Sequence, residues 1–580
     1  MNTLVCTLLM SFLLVACSTN ENSKAHQTNN SAATSGDAVA ATQSPPPQPP
    51  SYSVAAAHPL VTQAAMRVMA EGGNAFDAAI TASTMLAVVE PFGSGIGGGG
   101  FWLMHNEATQ KNIFVDGRET APSAATSTLY QDDTGQVSRE LATNNPLAAG
   151  IPGSVAAIDH IHKNYSTLPL SRLLAPAIKA ARQGFKVTPG YISALKLRES
   201  TMKKWPSSSM FFDNGTIPKP GWVLQQVDLA NTLEQIATNG RDGFYTGEVA
   251  NKLVKSVQQD GGIWTLDDLK NYRVVEREPI SFSFQGNNIT TSPLPSSGGL
   301  VMGLIFKQLE ATNYAKEDDL TQKHLLIEAM RNAYYQRALS MGDPDFTDDN
   351  GLQLLSPKAV QKYAKRILTQ QATPSQLLKP VTAGTQGQQT THFSIIDAEG
   401  NQVAVTLSIN LYFGSGYVAR DTGVLLNNEM DDFSAKPGEP NAYGLVGSEA
   451  NKIEPGKRPL SSMTPTFIED KDDLYILGTP GGSRIISMVA EGILEAVKDK
   501  SAQQIVTKPR LHHQYLPDEV GFEPQALDES EQKKLKQLGH KLKQSSRQYG
   551  NMQVIHWDKA RQKVTAAADP RGEGEAEVSQ

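Results

Sequence analysis

A two-stranded pattern between residues 390 and 410 constrains the fold of this chain most strongly. In residues 402–408, aliphatic side chains alternate with small or hydroxyl-bearing ones, which is the period of a β-strand with two distinct faces. Residues 390–396 form a second candidate strand, and the intervening residues 397–401 carry the Asp, Gly and Asn typical of a hairpin turn. The sequence therefore predicts a β-hairpin that opens at a Thr-Thr pair.

Helical patterns lie on both sides of this hairpin. Residues 61–70 and 75–89 are predicted helices separated by a Glu-Gly-Gly-Asn break, and residues 324–340 carry a stripe of apolar side chains at helical spacing. After the hairpin, a short strand at residues 474–477 leads through Gly-Gly into a helical segment at residues 485–497. The residue pattern alone predicts a mixed α/β protein.

Two other segments affect this interpretation. Residues 168–351 are predicted to be mostly helical. The glycine run Gly97–Gly100 is not expected inside a regular element, and it predicts backbone that passes close to other backbone. Because no GKS/T follows this run and no strand with dinucleotide-type spacing precedes it, we do not expect nucleotide binding.

Composition and charge exclude several classes of function. The chain has 580 residues and a formal net charge of −7, without a long basic block, which argues against nucleic acid as a partner. His392, His512 and His513 invite a metal interpretation, but the sequence has no HExxH motif and no cysteine cluster. We therefore expect no metal and no other cofactor, and assign these histidines structural roles.

The first 17 residues differ from the rest of the chain. An apolar run too short for a stable transmembrane helix ends in Leu-Val-Ala-Cys17, which resembles a bacterial lipobox. We expect a lipoprotein signal with Cys17 lipidated, and the alternative is a plain secretory signal. Residues 18–50 are rich in Ser, Asn, Gln and Pro and are predicted to be a disordered tether. These features predict a periplasmic protein whose only membrane contact is a lipid anchor in the outer membrane.

Cys6 and Cys17 are the only cysteines, and both lie in this signal segment. The folded part is therefore expected to have no disulfide and no thiol nucleophile.

Several separate motifs occur in chain order from about His58 to the C-terminus. They are residues 71–75 (EGGNA), 94–101 (SGIGGGGF), 116–119 (DGRE), 150–153 (GIPG), 295–299 (PSSGG), 428–433 (NEMDDF), 458–463 (RPLSSM) and 480–484 (PGGSR). Together with the Thr-Thr hairpin they resemble γ-glutamyltransferases (γ-glutamyltranspeptidases, glutathione hydrolases). The resemblance implies the four-layer αββα sandwich of N-terminal-nucleophile hydrolases.

The resemblance also implies that the precursor cuts itself between Gln389 and Thr390. A threonine hydroxyl is a weak nucleophile unless a base stands beside it, and the cut frees an α-amino group that serves as that base. Residues 51–389 would then form a large subunit and residues 390–580 a small catalytic subunit. The two would be parts of one αββα domain and remain together as a heterodimer.

Other catalytic positions follow from the same resemblance. Ser408 stands where the family usually has a threonine that hydrogen-bonds the nucleophile. Gly481 and Gly482 match the family's oxyanion hole, and backbone N–H groups ahead of a helix are suited to a developing negative charge.

The amino acid head of a γ-glutamyl substrate needs groups of both charges. Arg118 matches the carboxylate-binding arginine, whose planar fork suits a bidentate pair, and Ser461 and Ser462 would donate further hydrogen bonds. Glu429 and Asp432 would hold the ammonium.

Asn410 would also contact the head group, and residues 437–447 with Tyr443 match a lid loop over the pocket. This lid favours small donors such as glutathione.

The expected activity is cleavage of the γ-glutamyl amide through a Thr390 ester, with transfer to water or to an amino acid or peptide. An alternative keeps the fold but changes the substrate to glutaryl or cephalosporin side chains, or to poly-γ-glutamate. A third possibility is an uncleaved binding lipoprotein without activity. The acidic pair Glu429 and Asp432 favours an ammonium-bearing substrate over a glutaryl group.

Overall fold

The computed structural model describes residues 47–347, 350–378 and 390–580. The predicted signal segment with Cys17, nearly all of the predicted tether and Gln389 of the predicted cut lie outside these residues.

The helices are α1 Pro59–Ala70, α2 Ala75–Val89, α3 Arg139–Thr143, α4 Ser154–Tyr165, α5 Leu170–Gln183, α6 Pro189–Met202, α7 Val227–Asn239, α8 Asp242–Tyr245, α9 Gly247–Gln259, α10 Leu266–Asn271, α11 Gly298–Ala311, α12 Asp319–Ser340, α13 Pro357–Ala364, α14 Ile485–Ala496, α15 Ala502–Thr507 and α16 Glu529–Gln537. The strands are β1 Ser53–Ala56, β2 Gly99–Asn106, β3 Lys111–Gly117, β4 Phe185–Lys186, β5 Val223–Leu224, β6 Val275–Arg277, β7 Ile280–Phe284, β8 Asn287–Thr291, β9 Thr391–Ile396, β10 Gln402–Ser408, β11 Val418–Ala419, β12 Val424–Leu425, β13 Thr466–Glu469, β14 Asp473–Gly478, β15 Leu511–His512, β16 Val520–Phe522, β17 Leu542–Gln544, β18 Gln553–Asp558, β19 Lys563–Ala568 and β20 Glu575–Val578.

Two large antiparallel sheets form the centre of the protein. The first has seven strands in the order β20-β1-β9-β10-β2-β3-β6, and the second has six in the order β19-β18-β14-β13-β8-β7. The predicted hairpin is confirmed as β9 and β10, whose register places Leu407 opposite Thr391. Thr390 and Ser408 are the chain neighbours of this pair and both line one cavity.

The side chains of the first sheet contribute to two separate cores. Along β2, Trp102 and Met104 join the core beneath α1, α2, α4 and α5, whereas Phe101 and Leu103 join the core shared with the second sheet. The outer face of the second sheet packs against α11 and α14. A strand buried on both faces needs a run of apolar side chains, which β2 has at positions 101–104. The layers therefore follow the order helix, sheet, sheet, helix, which confirms the predicted αββα sandwich.

Both sheets contain strands from before and from after Thr390. Strand β1 lies between β20 and β9, so that a strand from the N-terminal part is hydrogen-bonded on both sides to strands from the C-terminal part. In the second sheet, β8 is hydrogen-bonded on one side to β13 from the C-terminal part and on the other to β7 from the N-terminal part. A backbone cut before Thr390 would leave all of these strand pairings in place.

The predictions for local structure are largely confirmed. Helix α1 ends at Ala70, just before Gly72 with its φ of 92°, and Asn74 caps α2 in a capping box with Asp77. The exclusion of the glycine run from regular structure was wrong at one end, because Gly99 and Gly100 begin β2.

The glycines of this run are required because the neighbouring backbone leaves no room for a Cβ atom. A Cβ atom on Gly98 would lie 2.2 Å from the carbonyl oxygen of Ser408, and one on Gly100 would lie 2.7 Å from that of Thr406. The predicted close passage of backbone is therefore confirmed. The prediction of a mostly helical segment 168–351 missed the strands β6, β7 and β8. Among the described helices, none has both the length and the apolar composition needed to cross a bilayer.

Candidate active site

Thr390 lies immediately before β9, where the first sheet faces two cavities. Thr390 is 8% exposed, and among the described residues it is the only one that lines both cavities. The smaller cavity has a volume of about 20 Å³. Its wall brings together most of the predicted site residues, and they are Thr390, Ser408, Asn410, Glu429, Asp432, Tyr443, Ser461, Ser462 and Gly482. These residues are separated by up to 92 positions in the sequence but converge on one point.

The Gly481-Gly482 pair connects β14 to the helical turn Gly482–Arg484, which leads into α14. Gly481 has a φ of 145° and Gly482 a φ of 56°, both in the region that favours glycine. Among the described residues, neither glycine donates its N–H to a backbone carbonyl. Gly482 lines the small cavity and Gly481 lines the larger one, so the pair passes beside Thr390. Backbone donors in this position can stabilise a developing oxyanion.

Asn410 is held by three hydrogen bonds. Its backbone N–H donates to Ser408 Oγ at 2.8 Å, its side-chain amide donates to the carbonyl of Asn428 at 2.8 Å, and its carbonyl accepts from the Tyr443 hydroxyl at 2.7 Å. Its φ of 69° is left-handed, a conformation that Asn tolerates better than most residues. Asn410 Oδ1 is buried and has no hydrogen-bond partner among the residues that the structure describes.

Arg118 is fully buried and bonded to three carboxylates. Its Nη1 contacts Glu119 at 3.4 Å and Glu429 at a shorter distance, and its Nη2 lies 2.5 Å from Asp432. Its Nε donates to the carbonyl of Pro459 at 3.2 Å. The predicted carboxylate-binding and ammonium-binding groups are therefore paired with each other in this structure.

This buried cluster contains three carboxyl groups, of Glu119, Glu429 and Asp432, but only two guanidinium groups, of Arg118 and Arg337. Burial raises the pKa of Glu119, Glu429 and Asp432, although Arg118 beside them favours their ionised forms. Burial also lowers the pKa of Arg337 to about 10, despite the nearby Asp432. Among the described residues, neither Glu429 Oε2 nor Asn410 Oδ1 has a hydrogen-bond partner, and both are buried. Two unpaired acceptors in an acidic cavity are suited to a cation that can donate hydrogen bonds, such as an ammonium.

The predicted lid covers this cavity. Tyr443 is 4% exposed, and its backbone carbonyl accepts from Gln514 at 3.3 Å. Asn441 donates to Asp432 at 3.0 Å, which fastens the loop to the acidic pair itself. Only an isolated bridge between Pro440 and Val446 interrupts its irregular backbone. The N–H of Ala442 also donates to Asp431 Oδ2 at 2.9 Å, so the closed loop is fastened to the cavity wall at several points.

Ser461, Ser462 and the three histidines all contact other groups of the protein. Ser461 Oγ accepts from the N–H of Met463 at 3.1 Å, and Ser462 Oγ lies 3.4 Å from Arg337. The histidines are buried and bonded to protein groups, and burial lowers the pKa of His392 and of His512 to about 3. In the described part of the chain, no group of three or more His, Cys, Asp or Glu side chains is arranged to hold a metal.

Sequence reasoning assigned no role to four residues beside the site. Glu119 bonds to Arg118, and Arg337 bonds to Ser297 at 2.9 Å. Ser483 lines the small cavity with a buried hydroxyl that has no hydrogen-bond partner in the described part of the chain, and Glu90 lines the larger cavity. Glu119 and Ser483 lie inside quoted motifs, so their positions were visible in the sequence although their roles were not.

Comparisons with known proteins agree with this geometry. The gamma-glutamyltranspeptidase family model matches residues 61–579. The chain is 40% identical to the glutathione hydrolase proenzyme of Pseudomonas aeruginosa, over 90% of this chain and 93% of that protein. It is 39% identical to the glutathione hydrolase proenzyme of Escherichia coli, over 82% of this chain and 83% of that one.

Solved structures share the fold. A cephalosporin acylase from Bacillus halodurans superposes with a TM-score of 0.79 at 26% identity, covering 92% of this chain and 96% of that one. A chain of Helicobacter pylori gamma-glutamyltranspeptidase matches with a TM-score of 0.54 at 38% identity, covering 56% of this chain and 93% of its own. The extent of the family match and of these identities shows that the chain belongs to the gamma-glutamyltranspeptidase family.

Proposed function

We propose that this protein is a self-cleaving γ-glutamyltransferase and glutathione hydrolase. The observation that carries the proposal is the small cavity, where Thr390, Gly482 and the acidic pair Glu429 and Asp432 meet, with Arg118 bonded to that pair. The family match and the relatives named glutathione hydrolase proenzyme support the same activity.

Recognition of the donor follows from the charges of its α-amino acid head. The α-carboxylate of the donor binds the guanidinium of Arg118 and accepts hydrogen bonds from the hydroxyls of Ser461 and Ser462. The ammonium of the donor binds the carboxylates of Glu429 and Asp432 and donates a further hydrogen bond to Asn410 Oδ1. The ion pairs of Arg118 with Glu429 and Asp432 are thereby replaced by two intermolecular ones, and the net charge of the site stays the same because the donor's head group is a zwitterion.

Substrate entry requires the small cavity to expand. At about 20 Å³ it is smaller than a glutamyl group, so the Tyr443 lid and the Arg118 ion pairs must rearrange first. The Asn441 contact with Asp432 connects these two changes, because the acidic pair cannot take a new partner without affecting the lid.

Catalysis begins when Thr390 Oγ1 attacks the γ-carbonyl carbon of the donor. The α-amino group freed by the cut takes the hydroxyl proton and passes it to the leaving amine, so that a γ-glutamyl ester forms as the amide bond breaks. The N–H groups of Gly481 and Gly482 stabilise the oxyanion, and Ser408 orients the threonine hydroxyl. Water then releases glutamate, or an amine of an amino acid or peptide accepts the γ-glutamyl group.

The cleavage between Gln389 and Thr390 is part of this proposal. It would give a large subunit of residues 51–389 and a small subunit of residues 390–580, which share both sheets and would remain a heterodimer. We also propose export to the periplasm, with lipidation of Cys17 as the anchor. Replacing Cys17 with serine should then move the protein from the membrane fraction to the soluble periplasmic fraction.

A glutaryl or cephalosporin substrate is the second candidate, and the shared fold with a cephalosporin acylase favours it. A glutaryl group has no ammonium, however, and would leave Glu429 Oε2 and Asn410 Oδ1 buried without partners.

The experiment compares hydrolysis of glutathione, a glutaryl anilide and L-γ-glutamyl-p-nitroanilide by the purified protein and by Thr390→Ala. We expect release of glutamate from both γ-glutamyl compounds, little or no turnover of the glutaryl compound, and no activity in the variant. Turnover of the glutaryl compound at a comparable rate, or an active Thr390→Ala protein, would overturn the proposal.

A further inference from the structure

Arg337 is a buried cation without a carboxylate partner. It is 5% exposed and lies in the last turn of α12. Among the described residues, no carboxylate forms an ion pair with its guanidinium, and the nearby Asp432 is already bonded to Arg118 and Asn441. Burial lowers the pKa of Arg337 to about 10, so the side chain is still positively charged near pH 7. The protein therefore buries a positive charge that no described carboxylate pairs.

A buried charge of this kind is costly to keep. An ion removed from water without a partner loses several kcal/mol of hydration even after the surrounding protein relaxes. The C-terminal end of α12 offsets part of this cost, because the helix dipole places roughly half a negative charge there. The remaining cost favours an anion that a ligand brings to this part of the protein.

The hydrogen bonds of Arg337 lead to the serine pair proposed for the donor's α-carboxylate. Its Nε donates to Ser297 Oγ at 2.9 Å, and its Nη2 donates to Ser462 Oγ at 3.4 Å. Ser297 in turn donates to the carbonyl of Ser461, from its hydroxyl at 2.7 Å and from its backbone N–H at 2.9 Å. Arg337 therefore supports both serines, one directly and the other through Ser297.

The bond from Arg337 also sets the direction of the Ser462 hydroxyl. A hydroxyl that accepts a hydrogen bond from a guanidinium keeps its own hydrogen for another acceptor. In the described part of the chain, no group accepts the hydrogen of Ser462 Oγ. Because Ser462 lines the small cavity, this hydrogen is available to a ligand there.

We propose that Arg337 is a positioning residue for the α-carboxylate of the donor. Arg337 does not line the small cavity, so it acts through Ser297 and Ser462, and its positive charge is balanced by the carboxylate that these groups orient. This inference rests on the proposed function, because it needs an α-amino acid head in the small cavity. A ligand whose α-carboxylate is replaced by a neutral group would not balance the charge of Arg337.

The test compares two competitive inhibitors that differ only at the α-carboxylate. L-Glutamate carries this group, whereas the α-amide of L-glutamate has a neutral carboxamide in its place, and both keep the ammonium and the γ-carboxyl group. The inhibition constant Ki of each is measured against hydrolysis of L-γ-glutamyl-p-nitroanilide, with protein that intact-mass analysis shows to be cut before Thr390.

The variants are Arg337→Gln, which removes the charge, and Arg337→Lys, which keeps it. The matched control is Arg182→Gln on α5, because the side chain of Arg182 is 42% exposed and its ion pair with Glu234 lies on the surface. A purely structural role for Arg337 would raise the Ki of both inhibitors by the same factor.

In Arg337→Gln we expect the Ki of L-glutamate to rise about ten- to hundredfold, from the loss of one charge-assisted interaction. The Ki of the α-amide should stay within about twofold of wild type, because this inhibitor has no α-carboxylate for Arg337 to act on. Arg337→Lys should raise the Ki of L-glutamate by a smaller factor of about two to ten, since it keeps the charge but not the fork of donors. Arg182→Gln should change neither constant.

Equal factors for the two inhibitors in Arg337→Gln, or two unchanged constants, overturn the inference. A folded Arg337→Gln protein that stays uncut also overturns it, because Arg337 would then act in self-cleavage. If Arg337→Gln does not fold, Arg337→Met decides the result by the same comparison, since an apolar side chain of similar length is often tolerated in place of a buried charge.

The wild-type protein separates this inference from the proposed function. If it hydrolyses no γ-glutamyl compound, the proposed function fails and the inference fails with it. If it is active and the two inhibitors respond equally to Arg337→Gln, only the role of Arg337 fails.

Discussion

Replacing Arg118 with lysine tests the recognition of the donor's carboxylate. The guanidinium holds Pro459, Glu119, Glu429 and Asp432 from three nitrogens that point in different directions. A lysine ammonium keeps the charge but donates from a single atom, so it cannot reproduce a bidentate contact with a carboxylate.

The size of the effect follows from the bonds that are lost. One hydrogen bond to a charged group contributes about 1.5–3 kcal/mol, so losing one of the two bonds to the donor should lower kcat/KM about ten- to hundredfold. In the free enzyme, at least two of the four side-chain contacts are lost, which should cost about 3 kcal/mol or more of folding stability.

The assay is steady-state hydrolysis of L-γ-glutamyl-p-nitroanilide, with intact-mass analysis to confirm self-cleavage and thermal unfolding to follow stability. Arg172→Lys is the matched control, because its side chain is 57% exposed and its ion pair with Glu71 lies on the surface. A cut Arg118→Lys protein with the kcat/KM of wild type would show that Arg118 does not bind the donor.

Three further predictions concern the same site. Gly481→Ala should lower kcat of hydrolysis about 10²–10³-fold, because the φ of 145° is unfavourable for alanine and the N–H group would turn away; a kcat within threefold of wild type would contradict its role in the oxyanion hole. Ser408→Ala should slow hydrolysis by about tenfold and Ser408→Thr should restore it, and equal rates in the two variants would exclude a role for the hydroxyl. Burial raises the pKa of Glu429 and of Asp432, so their neutral forms persist to a higher pH than usual. Because the neutral forms cannot pair with the donor's ammonium, kcat/KM for the donor should fall as the pH decreases through these raised pKa values. Glu429→Gln should alter this acid limb, and an identical pH profile in that variant would remove Glu429 from ammonium binding.

The local structure was predictable wherever one periodic pattern dominated. The β9–β10 hairpin and helices α1 and α2 follow directly from side-chain alternation, capping residues and glycine breaks. Strands β7 and β8 were missed, although residues 280–284 alternate between buried and exposed positions, because the strands are only five residues long and lie in a segment made mostly of helices. The start of β2 at Gly99 was missed because a glycine run is a poor strand former without the packing that surrounds it.

The identities of the site residues came from motif order, but their interactions did not. Sequence reasoning assigned Arg118 to a carboxylate and Glu429 to an ammonium. It could not predict that the two would pair in the free protein, since they are 311 positions apart. Glu90 gave no signal, because a single glutamate after a helix is ordinarily a surface residue. Its burial beside Thr390 depends on the packing of α2 against the first sheet.

Self-cleavage before Thr390 is the central claim of this account, and intact-mass analysis with N-terminal sequencing tests it most directly. The sample is purified protein that lacks residues 1–17, with Thr390→Ala prepared in parallel. The account predicts two chains from the first protein, the smaller one beginning at Thr390, and a single uncut chain without activity from the variant. A single uncut chain that hydrolyses γ-glutamyl donors, or a cut at another position in an active protein, would contradict it.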